Sequence, residues 1–132
     1  MNFLEPTTSL RILSLLFLSI LFLQSGLDKV FNFKGNLDWL TEYFAKSPLK
    51  NMVGLLMPMI TLMEVAAGVC SAIGLVMLLA SGSTQIGLIG AQLSALCIVS
   101  LFFGQRMAQD YASAATLAGY FLVCLAAIYV LG

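Results

Sequence analysis

Between Asn51 and Gln105 the chain carries one charged residue, Glu64, in 55 positions. Thr61-Leu62-Met63 before it and Val65-Ala66-Ala67-Gly68 after it belong in hydrocarbon. A stretch this apolar crosses a membrane, where a lone charge at the centre of a helix costs at least about 2.5–3.5 kcal/mol unless it faces a bundle interior or is paired. Glu64 must therefore be answered by a polar group on another helix.

The rest of the chain agrees with that setting. Only 9% of its 132 residues are charged and 61% are hydrophobic, whereas soluble domains carry about 25% charged residues. Ile12–Leu27, Asn51–Met63 with Val65–Gln105, and Tyr111–Gly132 are free of charge, and they supply the roughly 17–25 residues that a spanning helix needs. The pattern predicts an all-α fold in one domain, residues 1–132. It is an integral membrane antiparallel four-helix bundle with spans at about 9–31, 49–80, 84–105 and 110–131. The first 26 residues imitate a secretion signal, but no small-x-small site ends their apolar run, so they read as the first span.

Several function classes lose support from composition alone. Net charge is zero and no basic run suits nucleic acid. The chain contains no histidine, the usual near-neutral proton shuttle and a common ligand of haem and zinc. Cys70, Cys97 and Cys124 each stand alone in an apolar span, as packing groups do, and form no C-x-x-C pair. Four spans with neither inverted repeats nor broken helix pairs leave little room for alternating access.

Along the chain, Pro6-Thr7-Thr8-Ser9 reads as a helix start with Thr8 or Ser9 as cap. Arg11, Ser14, Leu18, Leu21, Ser25 and Asp28 then share one stripe that should face the bundle. Gly35-Asn36 opens a short amphipathic helix at about 37–45, with Asn36 as cap. Leu37, Leu40 and Phe44 make its apolar face, and Trp39 and Tyr43 suit headgroup depth. The expectation is a helix lying in the membrane interface between the first two spans. Ser47-Pro48 reads as the start of the second span. Gly26, Gly68, Gly87, Gly90 and Gly119 are the expected close-packing positions of the spans.

Helical rise places Glu64 about 21 Å from the first-loop side and Arg11 about 27 Å from it. Arg11 is therefore the expected partner of Glu64, with Gln92 on the third span as a second candidate for this polar core. Asp28, Lys29, Arg106 and Asp110 fall at one level and form an expected second cluster. Two explanations stay open: the polar layers fix helix register, or they line a pocket for a polar head such as a quinone carbonyl, a lipid or a sulfur compound. No catalytic or metal-ligating set is expected.

Arg11 opening the first helix, Ser25-Gly26-Leu27-Asp28-Lys29 closing it, and Glu64-Val65-Ala66-Ala67-Gly68 in the second resemble the DoxX family of small four-helix membrane proteins. Phe103-Gly104-Gln105-Arg106 with Asp110-Tyr111-Ala112 is similar to the short stand-alone members, and the resemblance covers nearly the whole chain. Ala67 departs from it, since the family often has a glycine pair there. The resemblance implies roles, structural or functional, for Arg11, Gly26, Lys29, Glu64, Gly68 and Asp110. It also implies kinship with subunits of a thiosulfate:quinone oxidoreductase and with membrane complexes that handle thiol and oxidative stress.

Two functions follow as expectations. One is a non-catalytic accessory subunit or assembly factor of a larger membrane complex. The other is a quinone-binding membrane anchor of a sulfur- or thiol-linked oxidoreductase. The expected ligand is a quinone or a lipid, with no covalent cofactor. The expected partners are the bilayer and a larger membrane complex, with a second copy of the chain as an alternative. The expected location is a bacterial inner membrane. Lys29, Lys34, Lys46, Lys50 and Arg106 against Arg11 place both termini outside by the positive-inside count.

Overall fold

A computed structural model of the chain describes residues 4–48 and 51–132. Among them are five helices and no strand: α1 (Pro6–Phe31), α2 (Phe33–Tyr43), α3 (Val53–Ser81), α4 (Gln85–Met107) and α5 (Tyr111–Leu131). All but α2 are long and apolar enough to cross a membrane. Their outer faces carry exposed apolar side chains, among them Leu13, Ile20, Leu62, Val76, Leu122 and Tyr129. With no aqueous reason for that surface, lipid is its natural solvent. The protein is an integral membrane helical bundle.

The helices pack because small residues let their backbones meet. α3 packs most extensively on α4 and α1, and α5 packs on α4 and α1. A methyl group at Gly68 would stand 2.8 Å from the backbone nitrogen of Leu23, and one at Gly74 would run into the backbone of Gly87. Only glycine allows approach that close. Around these crossings Leu15, Leu18, Phe22, Ala67, Ala91, Cys97, Cys124 and Ala127 form a continuous buried core. Cys97 and Cys124 are buried within it and Cys70 is partly buried; all three are free thiols.

Helix ends differ from the sequence expectation in instructive ways. α1 begins at Pro6, with Glu5 rather than Thr8 or Ser9 in the cap position, because proline fits the first helical turn without a missing bond. α2 begins four residues early, at Phe33. Asn36 therefore lies inside α2, and its amide donates to the carbonyl of Asn32 at 2.8 Å and to Asp28 Oδ2 at 3.4 Å. It ties the end of α1 to α2 instead of capping. The expected opening of the second span at Leu49 lies outside the described residues, and helical backbone starts at Val53. Ser47 does not open a helix: its N–H bonds the carbonyl of Phe44 in a turn. The buried Phe44 ring draws that turn over Gly104, near the end of α4.

One consequence positions the site. Gly26 of α1 meets Val65 of α3. Beyond that contact α1 continues only to Phe31, roughly 8 Å, whereas α3 extends from Val65 to Val53, roughly 18 Å. The space left by the shorter helix is covered by α2.

Candidate functional site

Glu64 is wholly buried, and its partner is Lys29. The ammonium Nζ lies 2.9 Å from Glu64 Oε2 and donates to Ser25 Oγ at 3.0 Å. The Ser25 hydroxyl in turn donates to the same carboxylate oxygen at 2.9 Å. Ser25 and Lys29 stand four residues apart on one face of α1, and the neighbouring Gly26 brings that face against α3. The three side chains thus form a closed triangle at the α1–α3 contact, where an ion pair held by further hydrogen bonds tolerates burial.

The expected Arg11–Glu64 pair does not form. Arg11 Nε donates to the carbonyl of Val130 at 2.6 Å, and Arg11 lies beside Leu78, Ser81 and Gly82 at the end of α3. The error is one of register, because Lys29 reaches inward from a level that rise-counting assigned to the membrane surface. Gln92 does not join the polar core either, since it is exposed on α4.

The expected second cluster is likewise dispersed. Lys29 belongs to the Glu64 triangle, and exposed Asp28 meets Asn36. Arg106 sits over the Tyr111 ring, 4.3 Å from its centre. Asp110 caps α5 by accepting from the N–H of Ser113, and it accepts the Tyr43 hydroxyl at 2.6 Å. The Tyr43 hydroxyl, ahead of the Ser113 bonds, holds the Asp110 carboxyl below the usual carboxylate range. Burial, the bond to Asp110 and the nearby negative charge push Tyr43 above the ordinary tyrosine range. The pair latches α2 to the α4–α5 link.

Of the expected packing glycines, Gly26 meets Val65, Gly68 meets Leu23, Gly87 meets Gly74 and Leu15, and Gly90 meets Ser71. Gly119 has nothing within 4 Å of where a side chain would begin and points out of the bundle.

Between α2, the first half of α3 and the last turns of α4 lies a cleft of about 670 Å³. Its polar end is Ser25, Lys29 and Glu64, and its walls are apolar, with Met52 just ahead of α3 and Met57, Met59 and Met63 along it. Trp39 and Tyr43 of α2 and Gln105 of α4 line it as well. Sequence reasoning overlooked this methionine row and Gln105. The sign was present, since four of the seven methionines fall between Met52 and Met63, and flexible thioethers suit surfaces that adapt to a guest.

Two oxygens in the cleft lining are left over. Glu64 Oε1 and Gln105 Oε1 are buried and accept no hydrogen bond from any described residue. An unmade bond of this kind costs about 1–3 kcal/mol, and more for a charged group. A cleft with apolar walls and a few convergent polar atoms has the chemistry of a site for a small amphipathic molecule.

No curated protein and no solved structure matches this sequence. The DoxX family matches it over residues 12–97, a range that takes in both members of the ion pair and the whole of the cleft's α3 wall. More than half of the chain is covered, and with four membrane-length apolar helices it belongs to the DoxX family of integral membrane proteins.

Proposed function

We propose that this DoxX-family protein is a membrane anchor subunit that holds a lipid-soluble molecule of the quinone class in the α2–α3–α4 cleft. In this reading it serves a larger, sulfur- or thiol-linked oxidoreductase complex. One observation carries the proposal: the apolar cleft ends on a buried ion pair that still has an unpartnered carboxylate oxygen. A pair that served register alone would gain nothing from adjoining a cavity. The ammonium has three N–H donors and commits two of them, to Ser25 and Glu64. The third is free for a guest.

The same reading puts neighbouring helices antiparallel and lays α2 in the membrane interface. Trp39 is 59% exposed and stacks on Tyr43, an arrangement suited to headgroup depth. It sets the protein in a bacterial inner membrane with both termini outside.

A second reading, a non-catalytic accessory subunit or assembly factor, is favoured by α5. Ala112, Ala115, Ala118 and Gly119 are all exposed there, a small-residue face on which another transmembrane helix could pack closely. The two readings are compatible.

Trp39, the only tryptophan, lines the cleft and reports on it directly. Titrating the protein in lipid nanodiscs with a short-tailed quinone and its quinol should change Trp39 emission saturably for at least one form. Ile60→Phe, which narrows the cleft, should weaken the response. No saturable change with either form would contradict the anchor reading, and a large partner that co-purifies with Gly119→Leu as well as with the wild type would contradict the α5 docking face.

A further inference from the structure

We propose that the cleft selects molecules whose polar end donates hydrogen bonds, such as a phenol, a hydroquinone or an alcohol, over molecules whose polar end only accepts them. The inference rests on the ligand-binding reading above and goes further by naming the head chemistry.

It follows from counting the groups that line the cleft. Glu64 is 0% exposed, and one of its two carboxylate oxygens has no donor. Gln105 Oε1, on the opposite wall, is a second buried acceptor without a donor. The hydroxyl donors nearby are already engaged: that of Ser25 is given to Glu64, that of Ser100 to the carbonyl of Leu96 and that of Tyr43 to Asp110. What the two buried oxygens lack is a hydrogen-bond donor.

A hydroxyl head answers that lack. Its O–H can be given to a carboxylate oxygen, the stronger kind of hydrogen bond, and its own oxygen can accept the remaining N–H of Lys29. A carbonyl or ether head can take the Lys29 proton but leaves both buried oxygens bare. Sites built with polar groups discriminate strongly against analogues that leave those groups unpaired. For a redox couple this means that the reduced, dihydroxy form is held more tightly than the oxidised one.

The test uses two pairs of probes that differ only in the donor: 4-dodecylphenol with its methyl ether, and dodecanol with its methyl ether. Each is titrated into the full chain in nanodiscs with Trp39 emission as the readout. The expected result is saturable binding of the phenol at roughly tenfold lower concentration than its ether, the discrimination that one hydrogen bond to a charged group supplies. A like preference in the dodecanol pair would extend the class to aliphatic hydroxyls such as those of lipids, and its absence would confine the class to aromatic ones. Gln105→Leu leaves the ion pair untouched and should reduce the preference, and Glu64→Gln should remove it. Equal binding of the phenol and its ether, or a preference unchanged in both variants, would overturn the inference while leaving the ligand cleft standing. No saturable binding of any probe would overturn both.

Discussion

Where α1, α3 and α4 cross near Gly68, Gly74 and Gly90, backbone lies against backbone. From Met63 back to Val53 the same α3 carries methionines and faces a cleft and the strap formed by α2. One helix thus takes part in a closed half and an open half. Side-chain size explains the closed half, since glycine and alanine permit contact that larger residues forbid. Helix length explains the open half, because α1 stops about 10 Å short of the end of α3. The polar triangle sits at the boundary, where an ion pair can be buried on one side and meet a guest on the other.

The largest expected effect comes from breaking the boundary. Lys29→Met should cost about 3–5 kcal/mol of bundle stability, because it strands a buried carboxylate. Arg11→Met, which removes a single bond to a carbonyl, should cost far less. Unfolding in mixed detergent micelles measures both, and equal losses would erase the distinction between the two ends. Next in size, Gly74→Ala in the closed half should cost about 1–3 kcal/mol through overpacking against Gly87. The matched change in an open position, Gly119→Ala, should fall within about 0.5 kcal/mol of zero. Similar costs at the two glycines would show that close approach is not what holds the closed half.

The sequence announces the closed half better than the open one. Glu64 as a lone buried acid and glycines spaced for helix contact can be read from the pattern of residues, because hydrophobicity and side-chain size are local properties. The register of α1 against α3 is not local. It depends on where α3 starts, and the burial of Phe44 against Gly104 displaces that start from Pro48 to Val53. An error of about a turn and a half in depth was enough to prefer Arg11 over Lys29, even though the Ser25–Lys29 spacing already placed a hydroxyl and an ammonium on one face. The cleft was hidden for the same reason: a gap between helices of unequal reach leaves no mark in either one's sequence.

A smaller effect tests the strap. Tyr43→Phe should raise amide exchange in α2 at neutral pH without unfolding the bundle. The wild-type latch has its own pH window. Asp110 is depressed, so its contribution is full above the unfolded carboxylate value and is lost as pH falls through the lowered one. Tyr43 is raised, so its contribution is full below the unfolded tyrosine value and is lost as pH rises through the folded one. Protection of the α2 amides, taken relative to their intrinsic exchange rate at each pH, should therefore be greatest from mildly acidic to mildly alkaline conditions and fall at both extremes. A Tyr43→Phe profile that matches the wild type would show that α2 is held by its apolar face alone.

The most direct measurement is a pair of double-mutant cycles in one detergent system, Lys29→Met with Glu64→Leu and Arg11→Met with Glu64→Leu. The predicted result is a coupling of about 2 kcal/mol or more between Lys29 and Glu64, with most of the single-mutant loss recovered when both charges are gone. Between Arg11 and Glu64 the predicted coupling is within about 0.5 kcal/mol of zero. Strong coupling to Arg11, or none to Lys29, would contradict the assignment of the buried pair and the cleft built upon it.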